Sequence, residues 1–316
     1  MKNKQKNIEK KEEKAPEWPY SAKENEELFA PGHNACSGCG AAIAMRHIAN
    51  MIGKHAIVTI GTGCMEVIST AYPNSAWKIP CIHSAFPNTA ATASGIEAAL
   101  KQQGKSTKVV AIAGDGGTFD IGIQSLSGMI ERQQNVLFIC YDNEAYMNTG
   151  VQRSASTPKF SETTTTPYGL KERGKLEWKK NMPFILAAHN ERIYVATANI
   201  SYLGDLKNKI IKALNFNGPS YIQILTPCIP GWKIPDSAAI EISRLAVQTR
   251  ANRLYEIENG ILKLTVEVPN PKNLKEYLKM QGRFAKMNDK EVQEMQNHMN
   301  AEYDTMKKLN GKKLFE

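Results

Sequence analysis

Two groups of residues in this sequence have the types and spacing to do chemistry. The first is Gly114-Asp115-Gly116, followed after a gap by Asp142-Asn143. Asp115 and the side-chain oxygen of Asn143 are hard oxygen donors of the kind Mg²⁺ takes, an ion that commonly keeps phosphate oxygens and water in its octahedron. Glycines beside Asp115 let a backbone approach a pyrophosphate. Together the two segments suit a magnesium diphosphate, whereas a lone Gly-Asp-Gly after a strand is more often a tight turn with a helix cap. The second group is Cys36, Cys39, Cys64 and Cys228, all in glycine- or proline-rich stretches. Four thiolates hold Zn²⁺ or an iron–sulfur cluster, and ligand type alone does not choose. Structural zinc usually takes two paired knuckles; here one Cys-x-x-Cys pair is joined by two distant single cysteines.

The elements that must position these groups read as strands ending together. Residues 109–112 and 136–139 are apolar β-branched runs, and Ile121, Leu126, Met129 and Ile130 recur between them at helical spacing. That predicts strand, loop, helix, strand: a parallel crossover with both polar bursts beyond the carboxyl ends of its strands, where open α/β sheets bind ligands. Further strands are expected at 56–60, 192–196 and 220–225, and helices at 41–52 and 203–214, with the alanine- and glycine-rich stretch 85–100 packing closely on the sheet or on another subunit. Cys64 and Cys228 then follow strands, and Cys36 and Cys39 precede a helix whose dipole and orphan N–H groups favour thiolate. If the strands run parallel, all four converge beside Asp115 and Asn143. Cys140, inside an apolar run, and Cys81 read as plain buried thiols. Residues 153–180 have no periodicity and read as a long loop at the site mouth. His83 comes near the site before Phe86-Pro87-Asn88, and reads as a satisfied structural histidine.

The 316 residues are 42% hydrophobic and 22% charged, enough to bury a full core. No apolar run approaches the ~20 residues of a membrane helix, and the amino terminus lacks a secretory signal's apolar centre, so a cytoplasmic protein is expected. The formal charge of +9 lies in the body, including the 171–180 region, because residues 1–28 carry seven lysines and seven glutamates. Nothing resembles a nucleic-acid-binding module; a solvated basic face is expected first and an acidic protein partner second. The polar, Lys/Glu-rich residues 1–28 read as a mobile tail.

The run from Gly-Asp-Gly to an asparagine-bearing segment across one helix and one strand resembles the thiamine diphosphate signature. The longer stretch YDNEAYMNTGVQRSASTP, residues 141–158, is similar to the β subunits of pyruvate:ferredoxin oxidoreductase (pyruvate synthase), in the 2-oxoacid:ferredoxin oxidoreductase family. The resemblance covers most of residues 29–240 and continues weakly through ISRLAVQTR and KMQGRF. It implies an α/β fold: the mostly parallel, doubly wound sheet of thiamine diphosphate enzymes over residues 29–240, with a helical appendage at 241–316 for subunit contacts. It implies that Asp115, Asn143 and the carbonyl of Ala145 bind Mg²⁺, that Gly114 and Gly116 surround the diphosphate, and that Asn148, followed by Thr149, faces the bound intermediate. It also implies that Cys36, Cys39, Cys64 and Cys228 hold a [4Fe–4S] cluster.

The activity implied is reversible oxidative decarboxylation of pyruvate with coenzyme A to acetyl-CoA and CO₂, electrons passing to ferredoxin. Thiamine enzymes typically use a glutamate to activate the aminopyrimidine, and neither Glu66 nor Glu144 has a motif for that role; the family supplies it from another subunit. The resemblance therefore implies α, γ and δ partner subunits and an inactive isolated chain. Two alternatives stand beside this: the same chemistry on another 2-oxo acid or oxalate, and a zinc-stabilised, non-redox binding module.

Overall fold

The computed structural model describes residues 18–23 and 26–315. In chain order the strands are β1 (Ala56–Gly61), β2 (Cys81–Ser84), β3 (Lys108–Gly114), β4 (Val136–Asp142), β5 (Tyr194–Asn199), β6 (Ser220–Leu225), β7 (Tyr255–Glu258) and β8 (Ile261–Leu264). The helices are α1 (Gly40–Ile52), α2 (Cys64–Ser69), α3 (Thr89–Gln102), α4 (Ile123–Glu131), α5 (Met182–Ala187), α6 (Leu203–Asn215), α7 (Ile229–Trp232), α8 (Ala239–Gln248), α9 (Leu274–Lys279) and α10 (Asp289–Leu309). All eight strands share one sheet in the order β2-β1-β3-β4-β6-β5-β7-β8. The first six run parallel, and β7 and β8 are antiparallel additions beyond β5.

Strands buried on both faces explain why the central runs are continuously apolar. Val110, Ile112, Leu137 and Ile139 pack against Met45 and Ile48 of α1 and Leu206 and Ile210 of α6. Their neighbours Val109, Ala111 and Phe138 point the other way, toward Ala90 and Ala93 of α3 and Leu126 and Met129 of α4. Each fully buried side chain of this size contributes ~1.5–3 kcal/mol. The small residues of α3 let it lie close on β3, as its composition predicts. This is the expected doubly wound sheet, and it brings the carboxyl ends of β1, β3, β4 and β6 to one edge.

Several expectations are corrected. Residues 241–316 are not wholly helical and do not stand apart, because β7 pairs with β5 through Val195↔Ile257 and β8 continues the sheet. The turn between them is Asn259-Gly260, with φ of 51° and 77°, the pair of left-handed residues a tight hairpin requires. The strand expected at 192–196 starts at Tyr194, and β2 was not foreseen at all. Most of the expected tail, residues 1–17, 24 and 25, lies outside the described residues, but its end is anchored rather than mobile. Leu28 is buried, and the Trp18 indole N–H donates to the Ile52 carbonyl at 3.1 Å.

The 171–180 region also departs from a solvated face. Lys175 is buried and donates to the carbonyls of Ala155 (3.2 Å) and Thr157 (2.6 Å). Lys179 turns onto two carboxylates and Lys180 onto the Phe119 carbonyl. Burial lowers the Lys175 ammonium to about 8, and neighbouring Arg153 adds to this. Three of these lysines therefore fasten the long loop internally. Residues 153–180 contain no named helix or strand, yet Ser154, Ser156 and Thr157 are fully buried.

Candidate functional site

β3 and β4 are neighbours with Gly114 opposite Tyr141, so the two polar bursts emerge side by side. Asp115 and Asn143 are buried there. The Asn143 side-chain oxygen lies 2.8 Å from Asp115 Oδ1 and 2.9 Å from the Ala145 carbonyl oxygen, three acceptors with no donor among them. Turning the amide would let its NH₂ donate to both; with a cation present, oxygen is the end that fits. Magnesium holds oxygens at ~2.0–2.1 Å, which puts adjacent octahedral ligands about 2.9 Å apart. Both separations match an edge of that octahedron and equally the N–H···O hydrogen bonds of the turned amide. In the bare site, burial and then the charge of Asp142 push the Asp115 carboxyl well above its usual range, opposed by a 2.5 Å hydrogen bond from Ser154 Oγ. A divalent cation would reverse that balance.

A second, deeper set of charges holds this loop. Asp142 accepts from Lys179 Nζ (2.6 Å), Gln223 Nε2 (2.7 Å) and Ser156 Oγ (2.6 Å). Glu144 sits at φ 69°, a left-handed conformation uncommon for a residue with a side chain. Its carboxylate is gripped by Lys179 at 2.9 Å and Arg283 at 2.6 Å. Burial alone would raise the Glu144 carboxyl, but Lys179 and Arg283 outweigh it and hold the group below its usual value. The Arg283 guanidinium lies 3.8 Å from the centroid of the buried Trp232 ring, whose indole N–H donates to the Asn143 carbonyl at 2.8 Å. None of Lys179, Gln223 or Arg283 was singled out from the sequence; QGRF carried only a weak likeness.

Gly114, Asp115, Gly116, Asn143, Ala145, Asn148 and Thr149 all line one cavity, together with Thr62 and Cys64. A Cβ on Gly116 would stand 2.4 Å from the Tyr146 ring, so only glycine leaves that wall free. Gly116 also opens a π-helical turn through Asp120, a local irregularity frequent at functional sites. Asn148 and Thr149 are exposed at the mouth, where Thr149 Oγ1 donates to Gln152 Oε1 at 2.5 Å. Arg153 pairs with Glu177 at 3.4 Å on the surface.

The cysteine loops are locked together by backbone. The Gly40 N–H donates to the Pro227 carbonyl at 3.1 Å, and Ser37 Oγ donates to Asp236 Oδ2 at 3.1 Å. Gly38 has φ 71° and a Cβ there would fall 1.8 Å from the Asp236 carbonyl oxygen. Cys64 opens α2 in the cavity wall. Burial pushes its thiol up to about 12, with smaller contributions from Cys228, Cys39 and Cys36. Burial likewise raises Cys228 to about 11. The expected thiolate-favouring effect of the helix start is overridden at Cys39, whose thiol burial raises despite hydrogen bonds from the Ala42 and Ala41 N–H groups. Among the described residues, no three His, Cys, Asp or Glu side chains gather closely enough to hold a single metal ion. Cys140 is buried within β4, and Cys81 lies on the edge strand β2.

Residues 60–224 match the family described as thiamine pyrophosphate enzyme, C-terminal TPP binding domain. Fold and site thus define a thiamine pyrophosphate enzyme domain. Pyruvate synthase subunit PorB of Methanocaldococcus jannaschii is 52% identical over 282 residues, covering 87% of this chain and 94% of the relative. Ketoisovalerate oxidoreductase subunit VorB of Pyrococcus furiosus is 45% identical over 295 residues, covering 90% and 94% respectively. The chain belongs to the family of 2-oxoacid:ferredoxin oxidoreductase subunits that includes PorB and VorB, and is a subunit of an oxidoreductase rather than a non-redox binding module. A solved 2-oxoglutarate:ferredoxin oxidoreductase from Magnetococcus marinus shares the fold, with a TM-score of 0.53 and 22% identity over 70% of this chain and 81% of that one.

Proposed function

We propose that this chain is the thiamine diphosphate- and [4Fe–4S]-binding subunit of an enzyme that oxidatively decarboxylates pyruvate with coenzyme A to acetyl-CoA and CO₂, reversibly, passing electrons to ferredoxin. The observation that carries this reading is that Cys64 lies in the wall of the cavity that also contains Asp115, Asn143 and Ala145. A redox centre held by Cys36, Cys39, Cys64 and Cys228 would touch the place where the substrate reacts. Thiamine diphosphate, when bound, supplies the nucleophilic carbon and the electron sink for decarboxylation.

The chain's own residues then have distinct tasks. Asp115, Asn143 and the Ala145 carbonyl hold Mg²⁺, and Gly114 and Gly116 leave room for the diphosphate. Asn148 and Thr149, at the mouth, meet the substrate. Glu66 is engaged by Thr70 and His83, and Glu144 is locked behind the loop by Lys179 and Arg283. Neither carboxylate is available to activate the aminopyrimidine, which favours a glutamate from an α subunit, with γ and δ subunits carrying electrons onward. Residues 241–316 are suited to part of those contacts. We assign the complex to the cytoplasm; no described helix is long and apolar enough to cross a membrane.

Pyruvate is favoured because the relative at 52% identity is named a pyruvate synthase, against 45% for the ketoisovalerate enzyme. The complex, purified without oxygen, is tested by ferredoxin reduction with pyruvate, 2-ketoisovalerate, 2-oxoglutarate and oxalate. The expected result is the highest kcat/KM for pyruvate and no turnover by the chain alone. A preference for another acid would replace the substrate, and robust turnover by the single chain would overturn the need for partners.

A further inference from the structure

One short segment of the long loop touches the ligand edge at several points. Ser154, Ser156 and Thr157 are fully buried. Ser154 Oγ donates to Asp115 Oδ2 beyond β3, Ser156 Oγ to Asp142 Oδ1 at the end of β4, and Thr157 Oγ1 to the Glu144 carbonyl. The Ala155 N–H donates to Asp120 Oδ2 at 3.0 Å, and Lys175 holds the segment through the Ala155 and Thr157 carbonyls. A hydroxyl has one proton to donate and two lone pairs to accept with. The Thr157 proton goes to the Glu144 carbonyl at 2.7 Å, and Thr157 Oγ1 accepts from the Ser154 N–H at 2.9 Å. Ser154 Oγ accepts from the Ser156 N–H at 3.1 Å. Its own proton then has two acceptors in reach, Thr157 Oγ1 at 3.4 Å and Asp115 Oδ2 at 2.5 Å, and the nearer, charged oxygen takes it. With Oδ2 held by Ser154, Oδ1 is the oxygen left facing the Asn143 side chain at 2.8 Å.

We propose that Ser154 is a positioning residue that restricts Asp115 to one metal-facing oxygen and so selects Mg²⁺ over a larger cation, an inference that rests on the metal site proposed above. Magnesium demands near-ideal octahedral geometry at ~2.0–2.1 Å, whereas calcium takes about 6–8 oxygens at ~2.3–2.6 Å and accepts both oxygens of one carboxylate. A carboxylate with one oxygen held back offers a single ligand, which suits the smaller ion. Removing the hydroxyl frees Oδ2, and the carboxylate can then present both oxygens to calcium. The same hydrogen bond also satisfies a buried carboxylate in the bare protein. That structural task is indifferent to which cation binds, so cation preference separates the two roles. Because Ser154 is fixed by Thr157, Ser156 and the Lys175 contacts to its neighbours, the selectivity resides in the loop rather than in Asp115 alone.

The test uses the assembled enzyme, kept free of oxygen and stripped of cofactor. Calorimetry reads its affinity for thiamine diphosphate with Mg²⁺ or Ca²⁺ as the sole divalent cation. Ser154→Ala should lower the Mg²⁺-dependent affinity by ~10–100-fold, the usual effect of losing a group that orients a metal ligand. The Ca²⁺-dependent affinity should stay near wild type, so the preference for Mg²⁺ falls by the same factor. Ser154→Cys keeps the volume but offers only a weak S–H donor, and it should shift the preference in the same way. It decides the question if the alanine variant does not assemble. Ser154→Thr keeps the hydroxyl and should keep the wild-type preference. Wild-type Mg²⁺-dependent affinity in both Ser154→Ala and Ser154→Cys would overturn the proposal. So would an equal loss with both cations, since that marks a bond serving the fold alone. Wild-type enzyme that binds thiamine diphosphate with no divalent cation present would instead remove the metal site on which the inference rests.

Discussion

Asp115→Asn should move the stability of this protein in two opposite directions. Without ligand, Asp115 is a buried carboxylate facing the charge of Asp142, with a hydrogen bond from Ser154 and, with the Asn143 amide turned, a second from its NH₂ group. Asparagine keeps the shape and the Ser154 bond, removes the charge, and donates from its NH₂ group to the Asn143 oxygen once that amide turns back. Relieving a buried, poorly satisfied polar group is worth ~1–3 kcal/mol. Unfolding entropy of ~2.1 cal/mol/K per residue over 316 residues makes each degree about 0.66 kcal/mol, so the bare variant should melt ~2–5 °C above wild type. With magnesium and thiamine diphosphate at one hundred times Kd, the wild type gains ~2.7 kcal/mol, a rise of about 4 °C. The variant should gain none. Differential scanning fluorimetry of both proteins, with and without ligands, reads all four values. A variant that keeps the ligand-induced rise would remove Asp115 from the metal shell.

Lys179→Met should cost ~3 kcal/mol, the low end for breaking a buried pair, because Lys179 is 29% exposed while Asp142 and Glu144 are buried. Urea denaturation measures this, and cofactor affinity should fall with it since the Glu144 backbone conformation depends on the same ion pair. Acid should also find a specific weak point at Glu162. Hydrogen bonds from Lys233 and then Lys286 depress its carboxyl to about 2, so this contribution is present above the unfolded value near 4.5 and fades as pH falls toward 2. Both lysines are more than half exposed, which limits the effect to ~1 kcal/mol. Glu162→Gln should flatten the stability profile between pH 4.5 and 2, and a wild-type slope in the variant would refute the assignment.

What the sequence disclosed followed from local patterns. The runs forming β3, β4 and β6 are apolar because both faces of the sheet are covered, and their polar ends mark the ligand edge without any tertiary knowledge. Asp115, Asn143 and Cys228 stand in those ends and Cys64 follows β1, so their convergence required only that the strands be parallel, whereas the Cys36–Cys39 loop before α1 is tied there by the Gly40 N–H bond to the Pro227 carbonyl. The β7–β8 hairpin was also readable, since Asn259-Gly260 between the YEIE and ILKL runs is a strong turn signal, but each strand is only four residues long. The supporting charges were hidden for a different reason. Lys175 and Lys179 occur in a polar, lysine-rich loop that looks solvated, and only the fold brings them to the Ala155 and Thr157 carbonyls and to Asp142 and Glu144. Arg283 is 139 residues from its partner Glu144, beyond the reach of periodicity or spacing. His83 had no informative neighbours in sequence, because Glu66 and Thr62 reach it from other elements.

The central claim is that four cysteines carry a redox cluster in the wall of a thiamine diphosphate site. Its most direct test is the electron paramagnetic resonance spectrum of the dithionite-reduced protein, prepared without oxygen together with its partner subunits, compared between wild type and Cys228→Ser. The account predicts a reduced [4Fe–4S] signal whose shape or intensity changes with that single substitution. A wild-type preparation holding zinc in place of iron and sulfide, or a cluster signal indifferent to Cys228, would contradict it.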